Sequence, residues 1–559
     1  MDEPRPAAPP SRLDARELAL LAAGACALAL AMTWPLALRL GSDVGKDLGD
    51  PLLQAWQVAW IGHALLHAPL DLWQANVYWP ERDTLAFSDA LVGYAPAALA
   101  AQAGPVAALA VYNLLVLFSY ALAFAGAFLL ARELGAGRPG AAVAGAAFAY
   151  APWKLTQNGH LHVLSSGGIP LALFLLVRGY RRRSPATVLA GFAVASWQVT
   201  LGFTLGLQLL YLLLVLGAGL ALVALARRRL PRPGRRTAAA TGAGLALLVL
   251  SAAFMARPYL RVLSEHPEAR RTVEQVESFS PPLRGYLAAP EQSWLWGDAT
   301  HRARAPLAAP DEMSLFPGLA IGLLALAGLA SGAYPRRLRV GLAAGALVCA
   351  VLALGLRDAS GLERFLTPYR LLYDLAPGWD GVRTPGRLTV LTSLALALLA
   401  GAGAALLARR AGRAGPALAA LALFAILAEG LGPLAHPRVP RPPEAVRREA
   451  APHLHLPTEA DLTYTYWTTA GFPPTVNGAG GFDPEPYIRL RAQVAGFPDA
   501  RSVAALRQLG VRTVLFHPDR AAGSSWPDVA ARPVAGLPLE RAVVDGVVVF
   551  RLRPAEGAG

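Results

Sequence analysis

Long apolar runs alternate with short arginine-rich loops over most of the chain, and the alternation stops near residue 436. The runs lie at 17–38, 106–131, 139–152, 167–180, 187–202, 205–226, 237–256, 314–333, 338–356, 388–408 and 415–435. Most come near the roughly 20 residues that a bilayer demands, which predicts about eleven membrane spans. The arginine clusters "ARELGAGR" (131–138), "RGYRRR" (178–183), "RRRLPRPGRR" (227–236), "PRRLR" (335–339) and "RRAGR" (409–413) follow every second span. Arginine in short loops marks the cytoplasmic side, so the amino terminus is expected inside. The opening loop 41–105 and the tail 436–559 are then expected outside. The basic stretch "HPRVPRPPEAVRR" (436–448) runs against this, but long translocated tails follow the rule poorly.

The tail has a different pattern. "DLTYTYWTTA" (461–470) alternates as a strand does, and "SVAALRQLG" (502–510) reads as a short helix stopped by Gly510. "VRTVLF" (511–516) reads as a strand, and "AVVDGVVVFRL" (542–552) as a hairpin about Asp545-Gly546. The expected fold is an all-α polytopic membrane protein of about eleven transmembrane helices, with interfacial helices in the first external loop and a small C-terminal α/β domain. Its expected divisions are an N-terminal cytoplasmic tail (1–16), a transmembrane domain (17–435) and an external α/β domain (436–559).

The opening loop departs most from a simple turn. "GSDVGKDLGDPLLQAWQVAW" (41–60) sets Asp43, Lys46, Asp47 and Asp50 together, then Trp56, Trp60, His63 and His67 along one helical stripe. Such a helix is expected to lie in the membrane interface, its tryptophans at headgroup depth. "FSDALVGYAPAALAAQAG" (87–104) is similarly amphipathic and carries Asp89.

Composition agrees with a membrane chain. Of 559 residues, 55% are hydrophobic and 16% charged, against about 25% charged in soluble domains. The net charge of +14 is almost all arginine, with Lys46 and Lys154 the two lysines. Placed in short loops, that charge fits membrane orientation better than nucleic-acid binding. Cys26 and Cys349 each lie inside an apolar run, which fits neither a disulfide framework nor a zinc site. The first run is too long for a signal-peptide core and lacks a cleavage site, so it is expected to stay as an anchor.

Two readings apply to the acidic loop. Asp50-Pro51 suits a helix N-cap followed by proline in the first helical position, for backbone reasons alone. A carboxylate beside an apolar cavity is also partly desolvated, which raises its pKa and suits it to act as a base toward a hydroxyl acceptor. A second carboxylate can orient the acceptor or hold a divalent cation through oxygen.

The stretches "KDLGDP" (46–51), "GDPLLQAWQVAW" (49–60), "NGHLHVLSSGGIPL" (158–171), "GVRTPGRLTVL" (381–391) and "VNGAGGFDPEPY" (476–487) touch most of the chain. With the order of spans, acidic loop and external tail, they resemble the GT-C superfamily of multi-pass glycosyltransferases, in particular a bacterial branch of it. The resemblance implies transfer of a hexosyl or pentosyl unit from a polyprenyl-phosphate-linked sugar, carried in membrane lipid, to an envelope lipid, glycan or protein acceptor. It implies an inner-membrane enzyme with a periplasmic tail and no nucleic-acid partner. Asp50, with Asp47 second, would be catalytic. The spacing of Asp47 and Asp50 departs from the family's best-known acidic pair and leaves the choice between them open. Lys154, His160, Arg370, Arg383 and Arg387 would bind the donor phosphate, arginine through its planar fork, and Asp89 would join the substrate-binding set. Mg or Mn is the cofactor left open.

His160 and His162 in "WKLTQNGHLHVL" (153–164) fit a shared metal, a cavity mouth or an ordinary wet turn. "ERFLTPYRLLYDLAPGWDGVRTPGR" (363–387) fits a re-entrant lid or an aromatic belt. "TYWTTAGFPPTVNGAGGFDPEPY" (465–487) fits a sugar contact or a glycine-rich loop. No glycine-rich phosphate loop, nucleophile elbow or zinc pattern occurs. The alternative function is a non-enzymatic membrane transporter or an envelope-assembly scaffold with an external binding domain.

Overall fold

The computed structural model describes residues 13–228, 234–357 and 367–554. Most of the tail 1–16, the centre of the basic loop 227–236, the start of the segment 363–387 and the last residues of 436–559 lie outside the described residues. By contact the chain forms two compact units. The first comprises Met1–Pro35, Leu115–Met255 and Arg271–Ala435; the second comprises Leu36–Leu114, Ala256–Arg270 and His436–Gly559.

Among the described residues seven helices are long and apolar enough to cross a membrane: Ala15–Met32, Pro105–Leu134, Leu161–Arg182, Phe203–Ala226, Arg235–Glu265, Pro385–Arg410 and Gly412–Glu429. These seven do not confirm the expected count of about eleven. Four of the expected runs form the helices Gly137–Ala149, Pro185–Val199, Leu319–Leu329 and Arg336–Leu352, of 13, 15, 11 and 17 residues. Each is shorter than the roughly 20 residues of a full crossing. Neighbouring prolines and glycines end them early.

Within the first unit, the helix Thr389–Arg410 is buried along most of its length. It meets its neighbours backbone to backbone. A Cβ on Gly403 would stand 2.0 Å from the Leu324 carbonyl, and one on Gly140 would stand 2.3 Å from the Gly401 carbonyl. Small residues allow such approach where no hydrophobic drive separates helix from lipid. The helix Phe203–Ala226 instead presents leucines outward, Leu220 being 72% exposed, as a lipid-facing surface does. Acids join the helices. Glu17 accepts from Arg132 and Arg138, each at 2.9 Å, and Glu133 from Arg178 at 2.7 Å. These arginines of the orientation loops therefore also act as staples. Glu429 accepts from the Leu319 and Ala320 amides at 3.0 and 3.1 Å. It caps a helix whose own N-cap, Gly318, has no side chain to offer.

The second unit holds one four-stranded sheet, ordered β1-β2-β4-β3. The strands are β1 (His453–Leu456), β2 (Thr513–Phe516), β3 (Leu539–Val544) and β4 (Val547–Leu552). β1 and β2 run parallel, β2 and β4 antiparallel. β3 and β4 form the hairpin expected at Asp545-Gly546, both residues with positive φ. The parallel pair needs a crossover, which contains the helices Asp461–Trp467, Glu485–Gln493 and Ala500–Gln508. The segment around Asn76–Trp79 joins the tail by backbone bonds: Thr475 donates to Asn76 at 2.8 Å, and Trp79 donates to Thr475 at 2.9 Å.

Three expectations of local structure are corrected. The stretch 461–470 is helical over Asp461–Trp467, not a strand. Its alternating Thr and Tyr residues are nearly all buried, so the pattern marks burial on all sides rather than a pleat. The tryptophans of the helix Asp50–His67 face protein rather than lipid headgroups. Trp56 is 1% exposed and bonds Asn76 at 3.0 Å, and Trp60 bonds the Leu72 carbonyl at 2.9 Å. These indoles are core, with each N–H satisfied. The stretch 87–104 breaks into short turns about the helix Ala95–Ala98.

Behind the sheet, His455 stacks on His517 with ring centroids 5.3 Å apart, and both are buried. Burial drives His517 down to about 3, and His455 well below the usual histidine value. Burial also pushes Asp461 up to about 7, against hydrogen bonds from Tyr487 and Asn477 that pull it down. The signs oppose. Neutral histidines give stability that is whole above about 6.5 and lost as pH falls toward the folded value. Neutral Asp461 gives stability that is whole below about 3.9 and lost as pH rises through its folded value. Each group contributes a slope on the order of 1 kcal/mol per pH unit. Between pH 6.5 and 4, Asp461→Asn should therefore steepen the acid loss of stability and His517→Asn should flatten it. Thermal unfolding in detergent across that range measures both.

Candidate functional site

The first unit contains a polar layer where the apolar pattern breaks. Residues 151–170 are almost entirely buried, so the wet-turn reading of "WKLTQNGHLHVL" does not hold. Pro152 opens a tight turn, Pro152–Gln157, that turns polar side chains inward. Gln157 bonds His160 Nδ1 at 2.9 Å and donates to the Asp311 carbonyl at 3.2 Å. His160 Nδ1 lies 3.8 Å from Glu312. Arg387 donates to both Glu312 oxygens, at 2.7 and 3.3 Å, and to His162 Nε2 at 2.8 Å. A guanidinium only donates, so Nε2 is the acceptor and the His162 proton sits on Nδ1. His160 and His162 thus serve a carboxylate–guanidinium pair rather than a shared metal. Burial pushes Glu312 up, yet the Arg387 charge and hydrogen bonds hold it down to about 2.

Lys154 stands apart electrostatically. Its ammonium is buried, donates to Ser166 Oγ at 3.3 Å, and lies 4.6 Å above the Phe148 ring and 5.8 Å from the Trp153 ring. Among the described residues no carboxylate comes within ion-pair distance of it. Burial alone pushes its pKa down to about 7. Such a group is a cation once an anion arrives beside it and half neutral otherwise.

Other expected residues are placed differently. Arg370 is exposed and spends its fork on Asp374 at 2.6 Å. Arg383 is exposed over the Phe279 ring at 4.9 Å. In the second unit, Asp89 lies between two contacts of Tyr259, whose hydroxyl bonds the Ser88 carbonyl and the Ala90 amide, each at 2.9 Å. Asp43 is buried, paired with Arg39 at 3.2 Å and bridged to Arg438, which makes it structural. Asp47 is exposed, and one of its oxygens accepts from the Gly49 amide at 2.8 Å. Gly49, not Asp50, is the N-cap; Asp50 is the first residue of its helix and half-buried. A carboxylate there is favoured by the helix dipole. That helix starts beside Leu462 of the helix Asp461–Trp467.

Glu312 was not legible in sequence, lying in an unremarked "APDEMS" turn. The only clue was the demand that a buried arginine near 387 be matched by a carboxylate. Among the described residues no three His, Cys, Asp or Glu groups converge as metal ligands.

No protein-family model and no curated protein sequence matches the chain. Two cryo-EM structures of the arabinofuranosyltransferase AftD from mycobacteria are similar in fold, each with a TM-score of 0.58. They are 16% and 17% identical, and the match covers 98% of this chain and 42% of theirs. This chain thus matches less than half the length of those enzymes. The apo oligosaccharyltransferase from Archaeoglobus fulgidus has a TM-score of 0.46 at 13% identity, covering 90% of this chain and 69% of that one. The likeness to AftD is one of fold: nearly all of this chain follows the fold of part of that membrane protein.

Removing one half of a buried ion pair leaves a charge stranded, at a cost of about 3–5 kcal/mol. Glu312→Gln should lower thermal stability in detergent by an amount of that order. Glu312→Gln combined with Arg387→Met should recover much of it. A double variant no more stable than the single would mean that the pair is not coupled.

Proposed function

We propose that the protein is a glycosyltransferase that moves a sugar from a polyprenyl-phosphate donor to an envelope lipid, glycan or protein acceptor. The observation that carries this reading is Lys154, a buried ammonium with no carboxylate partner among the described residues, in a unit of apolar helices. Such a charge is costly unless an anion completes it. The phosphate of a membrane-borne donor is an anion of the right kind in the right solvent. Arg387, already committed to Glu312 and His162, and the exposed Arg370 and Arg383 are weaker candidates. His160, close to Glu312, lies near Lys154 in sequence and joins it in this reading.

In the reaction, the acceptor hydroxyl oxygen bonds to the anomeric carbon as the carbon–oxygen bond to the lipid phosphate breaks. The phosphate leaves with the electron pair, and Lys154 balances its added charge. The acceptor proton passes to a carboxylate. Asp50, in the second unit, is a candidate for this role independently of Lys154, and ahead of Asp47, whose oxygen is engaged in its own turn. We place the protein in a bacterial inner membrane, with its amino terminus in the cytoplasm and its tail in the periplasm.

Transfer in proteoliposomes from polyprenyl-phosphate sugars tests the reading. Loss of a general base costs about 10²–10⁴ in rate, so Asp50→Asn should lower kcat by that order while leaving the fold intact. A scaffold or transporter would show no transfer at all, and an unchanged kcat would remove Asp50 as the base. Lys154 gives an independent test. An anion at its side restores the proton it lacks above about pH 7, so donor binding at pH 8 should take up close to one proton (about one) in the wild type and none in Lys154→Met. Calorimetry in two buffers of different ionisation enthalpy reads this directly.

A further inference from the structure

The second unit carries a cleft that the reaction above does not use. It has a volume of about 390 Å³ and is open to solvent on one side, within the ~300–1,000 Å³ of small-molecule sites. Two opposed segments line it. One is Tyr78 to Glu81; the other comes from the helices Glu485–Gln493 and Ala500–Gln508. The lining sets the Trp79 ring among hydrogen-bonding groups. Trp79 is 40% exposed, and its N–H is spent on the Leu509 carbonyl at 3.3 Å, which leaves the indole face as its binding surface. Glu81, Arg489, Gln493 and Gln508 supply carboxylate, guanidinium and amide groups around it.

The wall is built rather than incidental. Tyr78 and Tyr487 are buried and stand edge to face, centroids 5.4 Å apart at 78°. Tyr78 donates to Asp483 at 2.8 Å, and Tyr487 donates to Asp461. Asn477 donates to the same Asp461 at 2.8 Å. Each ring is thus locked by a buried or half-buried carboxylate behind it, so the cleft is preorganised for a ligand.

We propose that this cleft binds a short stretch of oligosaccharide. A sugar ring has one apolar face of C–H groups and a rim of hydroxyls. The indole face suits the first, and the amides and charged groups, which both donate and accept, suit the second. The cleft lacks the concentrated positive charge that an anionic ligand would demand, since its arginine, Arg489, is already paired with Glu485 at 2.9 Å and a carboxylate, Glu81, shares the lining. On the transferase reading, on which this assignment of purpose rests, the bound sugars would belong to the acceptor, gripped away from its reacting end.

The test is calorimetric titration of the full-length protein in nanodiscs with arabino-, manno- and gluco-hexaose. At least one hexaose should bind the wild type, and Trp79→Ala should weaken that binding about tenfold or more, as loss of a central aromatic anchor does. Trp79→Phe, which keeps a ring, should weaken it less. If Trp79→Ala does not fold, Gln493→Ala with Gln508→Ala, both on exposed helix faces, should still weaken binding. Trp34→Ala removes another exposed indole and should leave it unchanged. Failure of all three sugars to bind, or equal binding by the Trp79→Ala and wild-type proteins, overturns the proposal. Hexaose binding without any sugar transfer leaves the cleft assignment standing and removes the transferase reading. Transfer without hexaose binding does the reverse.

Discussion

A charge buried among apolar helices must be matched, and the first unit is arranged around that demand. Glu312 and Arg387 meet at 2.7 Å with a second bond at 3.3 Å, and His162 accepts a further guanidinium hydrogen bond. The pair ties the loop before the helix Leu319–Leu329 to the start of the helix Thr389–Arg410. The same demand recurs at the helix ends. Glu17 and Glu133 are matched by arginines, and Glu429 by helix amides and the Trp296 N–H at 3.2 Å. Exchange of any one partner for an apolar group strands the other, so these contacts set the register of the helices more than they add net stability.

Much of this was legible as composition and position, and much was not. The eleven apolar runs were visible because lipid selects for length and hydropathy, and each does form a helix. Their depth was not visible. The run 139–152 forms a helix of 13 residues that is buried in protein along most of its length. The same ambiguity misplaced Trp56 and Trp60: an indole in an apolar helix fits the interface and the core equally until its N–H partner is known. Thr463 to Trp467 alternates like a strand, yet a fully buried helix accepts any apolar or hydroxyl pattern. The hairpin at Asp545-Gly546 was legible because its turn chemistry is local. Among the expected site residues, Lys154, His160 and Arg387 proved buried, whereas Arg370 and Arg383 proved exposed. Sequence gives a residue's type but not its partner, and Glu312 is the partner it could not give.

In the second unit, distant segments of chain are held by polar bonds that neither could satisfy alone. Asn477 bonds the backbone of His455 on both sides, N–H and carbonyl, and reaches Asp461. Asn76 accepts from Trp56 and donates to the Pro473 carbonyl. The opening segment is therefore part of the same packed body as the tail, with its acidic helix start beside the helix that carries Asp461. A buried network of this kind is costly if half satisfied and specific when complete. Here it also fixes the two tyrosines of the cleft wall.

The use of lysine at 154 completes the argument. The chain places arginine almost everywhere it needs a cation; lysine occurs twice. Arginine keeps its charge under any burial a protein imposes, and so must always be paired. Lysine can surrender its proton instead, and at 154 burial brings that exchange to about neutral pH. On the proposed reading, the position is empty for part of a catalytic cycle and faces a phosphate for the rest, which suits the second behaviour. An arginine there would demand a permanent carboxylate, as Arg387 demands Glu312, and that carboxylate would repel the phosphate. On the proposed reading, the two cations divide the work for this reason: Arg387, permanently matched, holds the layer together, and Lys154, unmatched, is left for the donor.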